Sequence, residues 1–234
     1  MRRRIKPSDG QVAVAAVRAG DDPKVRPDAD CGWRACEAAS RDTPAAGNVG
    51  AGSGAAVGKL FGLDRAMKGG IGHASVQVGP WVVAAMIACN AIGDVIDPDT
   101  GRVLAGARSA DALSLRDTQA ALLAGETVRR VMPGTNTTIG VVATNATLTK
   151  AQAQRLAVSA HDGLARSIRP VHTTLDGDTL FAMASCAVDT PPDLMLLTTL
   201  AAHATALATV DAVLQAQAVQ TVHGHWPAAN PTAL

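Results

Sequence analysis

Hydrophobic and polar residues follow different rhythms in different parts of this chain. From His73 to Val78 they alternate, Trp81 to Ala91 form an apolar run, and the turn pair Gly79-Pro80 lies between. Alternation places one face of a strand in the core and an apolar run suits a strand buried on both faces, so this stretch predicts a central β-hairpin. Thr137 to Ala146 (TTIGVVATNA) is dense in β-branched residues, which suit a pleated, half-buried surface, and predicts another buried strand. The period then changes: Thr149 and Gln152 form a capping box, and apolar positions 153, 156, 157, 160 and 164 recur at helical spacing. Asp178 to Ser185 reads as a strand. Pro191 to about Ala218 reads as a long helix, since proline is tolerated in a first turn where its missing N–H is not needed.

Elsewhere the punctuation is stronger than the periodicity. A short apolar stretch, Val12 to Val17, suggests a strand and is followed by the turn sequence Gly20-Asp21-Asp22-Pro23. Asp28 or Asp30 can cap a short helix running through Trp33, Ala35, Cys36 and Ala39. Gly47 to Gly72 is so glycine-dense that tight turns are expected in place of regular structure. Asp97-Pro98-Asp99-Thr100-Gly101 is a turn, and Gly106 to Pro133, without steady periodicity, is expected to be a long mobile connection. Strands and helices occur in both halves, with hairpins instead of regular strand-helix alternation. This favours a single layered α+β domain over a doubly wound nucleotide-binding sheet.

Composition narrows the function classes. With 47% apolar and 18% charged residues among 234, the chain should fold, and with 2% aromatics and no Tyr its core must be built from Ala, Val, Leu and Ile. The net charge of +1 is scattered, so no nucleic-acid footprint is visible. Polar residues follow the basic opening Met1 to Ile5 where a secretory signal needs apolar ones, and the longest apolar run is too short to span a bilayer. A cytoplasmic protein with no membrane partner is expected. Cys31, Cys36, Cys89 and Cys186 form no CxxC pair and are expected to be reduced, buried thiols. The stretch Gly52 to Lys59 lacks the glycine and the hydroxyl residue of a phosphate loop, and Gly50 to Ala55 lacks the flanking strand and helix of a dinucleotide site. His223-Gly224-His225 reads as a solvated tail, and neither cofactor nor metal is expected.

Candidate chemistry gathers at Gly134-Thr135-Asn136-Thr137-Thr138-Ile139-Gly140, where hydroxyl residues stand at the mouth of a buried strand after an irregular connection. If the Thr137 hydroxyl displaced the Asn136 carbonyl from its own nitrogen, hydrolysis of the resulting ester would leave Thr137 with a free α-amine. Such an amine has a reference pKa of about 7.7 to 8 and can act as base for the hydroxyl of the same residue. By itself Thr-Thr at a strand start is ordinary β-propensity.

Four segments considered together say more. Gly47-Asn48-Val49-Gly50-Ala51-Gly52-Ser53-Gly54, Met67-Lys68-Gly69-Gly70-Ile71-Gly72-His73-Ala74-Ser75, Ala88-Cys89-Asn90-Ala91-Ile92-Gly93 and Asn136-Thr137-Thr138-Ile139-Gly140-Val141-Val142-Ala143-Thr144 resemble, in order and approximate spacing, the L-aminopeptidase/D-esterase family, which includes the β-aminopeptidases. The likeness runs from about Arg26 to about Leu214. It implies an α-β-β-α sandwich of N-terminal-nucleophile-hydrolase type, similar to ornithine acetyltransferases, with residues 26–234 forming the hydrolase domain and 1–25 unmatched. It further implies self-cleavage between Asn136 and Thr137 into chains 1–136 and 137–234, hydrolysis of small peptides, amides or esters at a free amino terminus, and homo-oligomers. The nucleophile falls on Thr137, where many relatives have Ser. The oxyanion-stabilising residue falls on Asn90, and Asp176 and Asp178 fall where relatives hold the nucleophile and the free amine. Two departures stand out: the chain lacks part of the family's N-terminal region, with early strands of the sandwich, and it lacks the active-site Tyr of some members. Acyl transfer, and a truncated chain with only a structural role, are the alternatives.

Overall fold

The computed structural model describes residues 28–112, 114–128, 135–221 and 224–229. The apolar hairpin is its spine. Strand β3 (Gly70–Val78) pairs antiparallel with β4 (Trp81–Asn90) from Gly70↔Cys89 to Val78↔Trp81, and Gly79 makes the tight turn at φ +56°, a conformation most side chains disfavour. The hairpin extends three residues further toward the N-terminus than its alternation suggests.

Strand β7 (Thr137–Ala146) spans the β-branched run and lies antiparallel to β4, while β9 (Thr179–Val188) lies parallel to β7. The sheet order is β3-β4-β7-β9. A parallel pair needs a crossover, which helix α3 (Lys150–Ser167) supplies, its start fixed by the Thr149–Gln152 capping box that the sequence specifies. Helix α4 (Leu194–Leu214) returns the chain over β3 and β4. It begins three residues later than the sequence suggests: Pro192 steers Pro191 away from helical geometry, and Asp193 caps the helix by accepting from the Leu196 amide.

Helices α3 and α4 cover the same face of the sheet. Val83, Ala85, Ile87 and Cys89 of β4, Val142 of β7 and Leu180 of β9 share one core with Leu156, Ala160 and Leu164 of α3 and with Leu197, Ala201, Ala204 and Ala208 of α4. Small residues replace aromatics here, and the layers sit close: a Cβ on Gly72 would lie 2.2 Å from the Ala212 nitrogen, and one on Gly163 2.2 Å from the Ala202 carbonyl oxygen. By length and apolarity α4 could cross a bilayer, yet it packs into this core. On the opposite face Phe181 and Met183 are each 61% exposed; among the described residues, Arg41 to Pro44 border that face.

Strands β5 (Asp94–Ile96), β6 (Val103–Ala105) and β8 (Ile168–Arg169) form a second sheet in the order β6-β5-β8, and the expected turn joins β5 to β6, with Asp97 accepting from the Asp99 amide and Gly101 at φ +72°. The glycine-dense segment holds only short pieces, β1 (Ala56–Val57) and β2 (Met67–Lys68). Helix α1 (Ala29–Glu37) is capped by Asp28, as expected, and ends before Ala39.

Three expectations are corrected. The connection after Gly106 contains helix α2 (Thr118–Leu123), and buried Asp94 ties it to β5 by accepting from the Ala107 and Thr118 amides and the Thr118 hydroxyl. Of the cysteines, all unpaired, Cys89 is buried, whereas Cys36 and Cys186 are exposed. The segment ascribed to a solvated tail forms β11 (Gly224–Trp226) against β10 (Val219–Thr221), with Trp226 buried. Val12 to Val17, the turn Gly20 to Pro23, and His223 lie outside the described residues.

Candidate active site

Strand register assembles the site. The β4–β7 ladder sets Asn90 opposite Thr137, and a parallel bridge sets Asn136 beside Asp176, just ahead of the β7–β9 ladder. Three segments far apart in sequence thus meet at one end of the sheet, each at a strand terminus where side chains and backbone groups are not consumed by the ladder.

Thr137 is 3% exposed, and its hydroxyl donates to the Gly177 carbonyl at 2.7 Å. The Gly177 amide donates to the Asn136 carbonyl at 3.1 Å. One glycine therefore touches both partners of the Asn136–Thr137 peptide: its carbonyl accepts from the hydroxyl, and its N–H polarises the carbonyl that the hydroxyl would attack. Asn136 is fully buried; its Nδ2 donates to the Leu175 carbonyl, and its Oδ1 finds no partner among the described residues. An unpaired buried acceptor is costly, and it sits beside the bond in question.

Asn90 ends β4, buried, with every polar group of its side chain engaged. Its Oδ1 accepts from the Ala56 amide at 3.1 Å and from Lys59 Nζ at 2.8 Å, while its Nδ2 donates to the Thr135 carbonyl at 3.1 Å. The two donors on Oδ1 fix which way the amide faces, because turning it over would set the NH2 group against both. The Asn90 donor thus points at the peptide one residue upstream of Asn136. Lys59, also buried, donates to the Asn90 carbonyl at 2.7 Å. Sequence reasoning passed over Lys59 because the phosphate-loop pattern failed; a charged residue in the otherwise apolar run Ala55 to Phe61 was the available signal.

The two aspartates reach the surroundings of Thr137 through neighbours. Asp178, its side chain 3% exposed, accepts from the Thr138 amide at 2.7 Å and from His172 Nδ1 at 2.8 Å. Asp176 accepts from the Ile92 amide at 3.2 Å and the Thr173 hydroxyl at 2.7 Å. Burial pushes the Asp176 carboxyl pKa up and the Asp178 charge adds to that rise, while the Thr173 and Ile92 hydrogen bonds and the Lys59 charge oppose it. His172 and Thr173 were not singled out from the sequence, and nothing in their spacing marks them. Both line an open cleft of about 640 Å³ beside the site, with His161, Asp176, Gly177 and Asp178. Among the described residues no group of three His, Cys, Asp or Glu side chains could hold a metal. The Cys89 thiol, pushed up to about 12 by burial, is core material with no nucleophilic role.

Comparison with known proteins follows the same outline. A protein of Mycobacterium leprae named an uncharacterized aminopeptidase is 45% identical over 174 residues, covering 70% of this chain and 46% of its own length. A 6-aminohexanoate-oligomer endohydrolase of Paenarthrobacter ureafaciens is 33% identical over 171 residues, covering 71% of this chain and 47% of its own. The chain therefore spans about half the length of these relatives. Among solved structures, a β-aminopeptidase of Burkholderia sp. superposes with a TM-score of 0.57 at 24% identity, over 88% of this chain and 56% of that one. The L-aminopeptidase D-Ala-esterase/amidase of Ochrobactrum anthropi, described as a variant of the N-terminal-nucleophile hydrolase fold, does so with a TM-score of 0.53 at 20% identity, over 79% and 49%. These likenesses establish the fold as that of the N-terminal-nucleophile hydrolases with an L-aminopeptidase-like arrangement. Residues 21–226 match a single family over most of the chain, and this protein belongs to peptidase family S58.

Proposed function

We propose that this chain is a self-processing amide hydrolase whose nucleophile is Thr137. The observation that carries the reading is the position of the Thr137 hydroxyl: buried at a strand start, hydrogen-bonded to Gly177, beside a scissile carbonyl that the Gly177 amide polarises. In the first reaction Thr137 Oγ1 bonds to the Asn136 carbonyl carbon, the C–N bond breaks, and the hydroxyl proton passes to the nitrogen, which with the hydrogen it already carries becomes a free amine. Water then hydrolyses the ester, leaving a carboxylate on Asn136 and a free amino-terminal Thr137.

In the second reaction the amine accepts the Oγ1 proton as the oxygen attacks a substrate carbonyl. Departure of the upstream segment releases Asn90 Nδ2 from the Thr135 carbonyl, freeing a buried donor for the developing oxyanion. The acidic pair Asp176 and Asp178 gives this end of the cleft a preference for a substrate ammonium. The substrate class is a small peptide, amide or ester with a free amino terminus. The relative named for 6-aminohexanoate oligomers extends that class to ω-amino amides.

Mass spectrometry of the purified protein tests the first reaction. Two fragments divided after Asn136 are expected, and Thr137→Ala should stay whole. A wild-type chain that remains intact and hydrolyses no aminoacyl amide refutes the proposal.

A further inference from the structure

One group beside the site has no part in the chemistry just described: two histidines joined to Asp178. His161 Nδ1 lies 3.3 Å from His172 Nε2, the rings 4.9 Å apart between centroids. His172 Nδ1 lies 2.8 Å from Asp178 Oδ2, and the His172 amide reaches the same oxygen at 3.3 Å. Asp178 Oδ1 then accepts from the Thr138 amide at 2.7 Å. Thr138 directly follows the nucleophile, so an unbroken hydrogen-bond chain runs from helix α3 across the cleft to the residue behind Thr137.

We propose that His172 is a positioning residue for the Thr137 nucleophile, acting through Asp178, with His161 fixing its tautomer. This rests on Thr137 being the nucleophile. The Asp178 side chain is almost fully buried, and a buried carboxylate needs donors on both oxygens. Thr138 serves one oxygen and His172 serves the other twice, through its amide and its ring. That double contact accompanies an uncommon backbone: His172 has φ +52°, a left-handed conformation that ordinary side chains disfavour. The cost is tolerated at a cleft wall, next to an aspartate whose other oxygen touches the nucleophile's neighbour.

The tautomers follow from the acceptors. A carboxylate only accepts, so the proton sits on His172 Nδ1; its Nε2 is then an acceptor in the neutral ring, and His161 Nδ1 carries the hydrogen between the two rings. Two protonated rings would set N–H against N–H across that 3.3 Å contact, so the pair holds at most one positive charge. His161 is disfavoured as its carrier: burial lowers its pKa first, and the facing His172 lowers it further, while Asp178 and Asp162 oppose. Around the pair, Asp178 contacts His172 and, with Asp162, acts on His161, while Asp176, which feels Asp178 and Lys59, lines the same cleft.

The test compares two substitutions. His172→Asn keeps a donor at the Nδ1 position and tolerates a left-handed backbone, but has no second ring nitrogen. His172→Leu keeps bulk and loses the donor. For His172→Leu we expect slower self-cleavage and a fall in kcat of about tenfold to a hundredfold with KM changed far less; His172→Asn should restore most of that rate while losing any step in the pH profile due to the ring. Independently of activity, nitrogen-15 NMR of uncut Thr137→Ala should show His172 protonated on Nδ1 at neutral pH, and His161→Phe should erase that preference's coupling to its partner. His172 found in the Nε2–H tautomer, or a folded His172→Leu that cleaves and turns over like wild type, overturns the positioning role. A wild type that is neither cut nor active instead overturns the hydrolase reading, leaving the tautomer measurement to stand as a separate result on the hydrogen-bond chain.

Discussion

Replacing Lys59 by Met separates the orientation of Asn90 from its presence. Met has a similar length and no charge, so it can occupy the same buried channel, but it removes the Nζ donor from Asn90 Oδ1 at 2.8 Å and from the Asn90 carbonyl at 2.7 Å. A hydrogen bond from a charged donor contributes about 1.5–3 kcal/mol, and the remaining Ala56 amide about 1 kcal/mol, so most of the preference holding the Asn90 amide in one orientation is lost. Complete loss of an oxyanion donor costs on the order of 100- to 1000-fold in kcat. A donor still present but free to turn should cost about 10- to 100-fold, with KM little changed. Stability should fall by about 1–2 kcal/mol because the Asn90 carbonyl is left buried without Nζ, partly offset by no longer burying an ammonium. Initial rates on an aminoacyl p-nitroanilide, with kcat and KM resolved, and the fraction self-cleaved by mass spectrometry, measure both effects. A Lys59→Met protein that cleaves fully and keeps the wild-type kcat would show that Asn90 needs no orienting partner and is not the donor the reaction uses.

Asp94 offers a pH signature. Burial raises its carboxyl to about 6 from 3.8, against the Thr118 and Ala107 hydrogen bonds. With the folded value above the unfolded one, its contribution is fully present below about pH 4, and up to about 3 kcal/mol is lost as pH climbs through 6. Urea melts between pH 4 and 7 should show wild type losing stability relative to Asp94→Asn as pH rises; a difference constant across that range contradicts the assignment. Gly163→Ala should destabilise by about 1–3 kcal/mol, since its Cβ would lie 2.2 Å from the Ala202 carbonyl oxygen, even though alanine favours helix by about 1 kcal/mol. A variant melting above wild type would mean that α3 and α4 can separate without loss.

What the sequence made legible was local. The Thr149–Gln152 box, the β-branched run and the Gly79 turn each carry their instruction within a few residues, and the corresponding elements appear with their expected starts. The candidate site was partly legible through the resemblance, because Thr137, Asn90, Asp176 and Asp178 fall together once strand register is known. Lys59 and His172 were not, because each acts on a residue brought near by folding: Lys59 on Asn90 across the β4 terminus, His172 on Asp178 through a left-handed backbone. Helix α2 was missed for the same reason. Its first residue is held by a carboxylate 24 positions earlier, and Asp94 looks in the sequence like one more turn aspartate.

Why these groups converge follows from the mixed sheet. β4 runs toward the site and ends there, whereas β7 and β9, antiparallel to β4 and parallel to each other, both begin there. One strand thus delivers its last side chain, Asn90, where two others deliver their first residues and the loops before them. The two sides of the Asn136–Thr137 peptide are held differently: from Thr137 onward the chain is fixed by the ladders to β4 and β9, whereas Thr135 and Asn136 are held by hydrogen bonds of Asn136 with Gly177 and Leu175 and of Thr135 with Asn90 and Lys59. On the proposed self-cleavage, severing the chain at that boundary would free the residues just before Thr137 while β7 stays in place. The same proposed step would move away the unpaired Asn136 Oδ1 and free the Asn90 donor, so relief of a buried polar defect and assembly of the site would be one event.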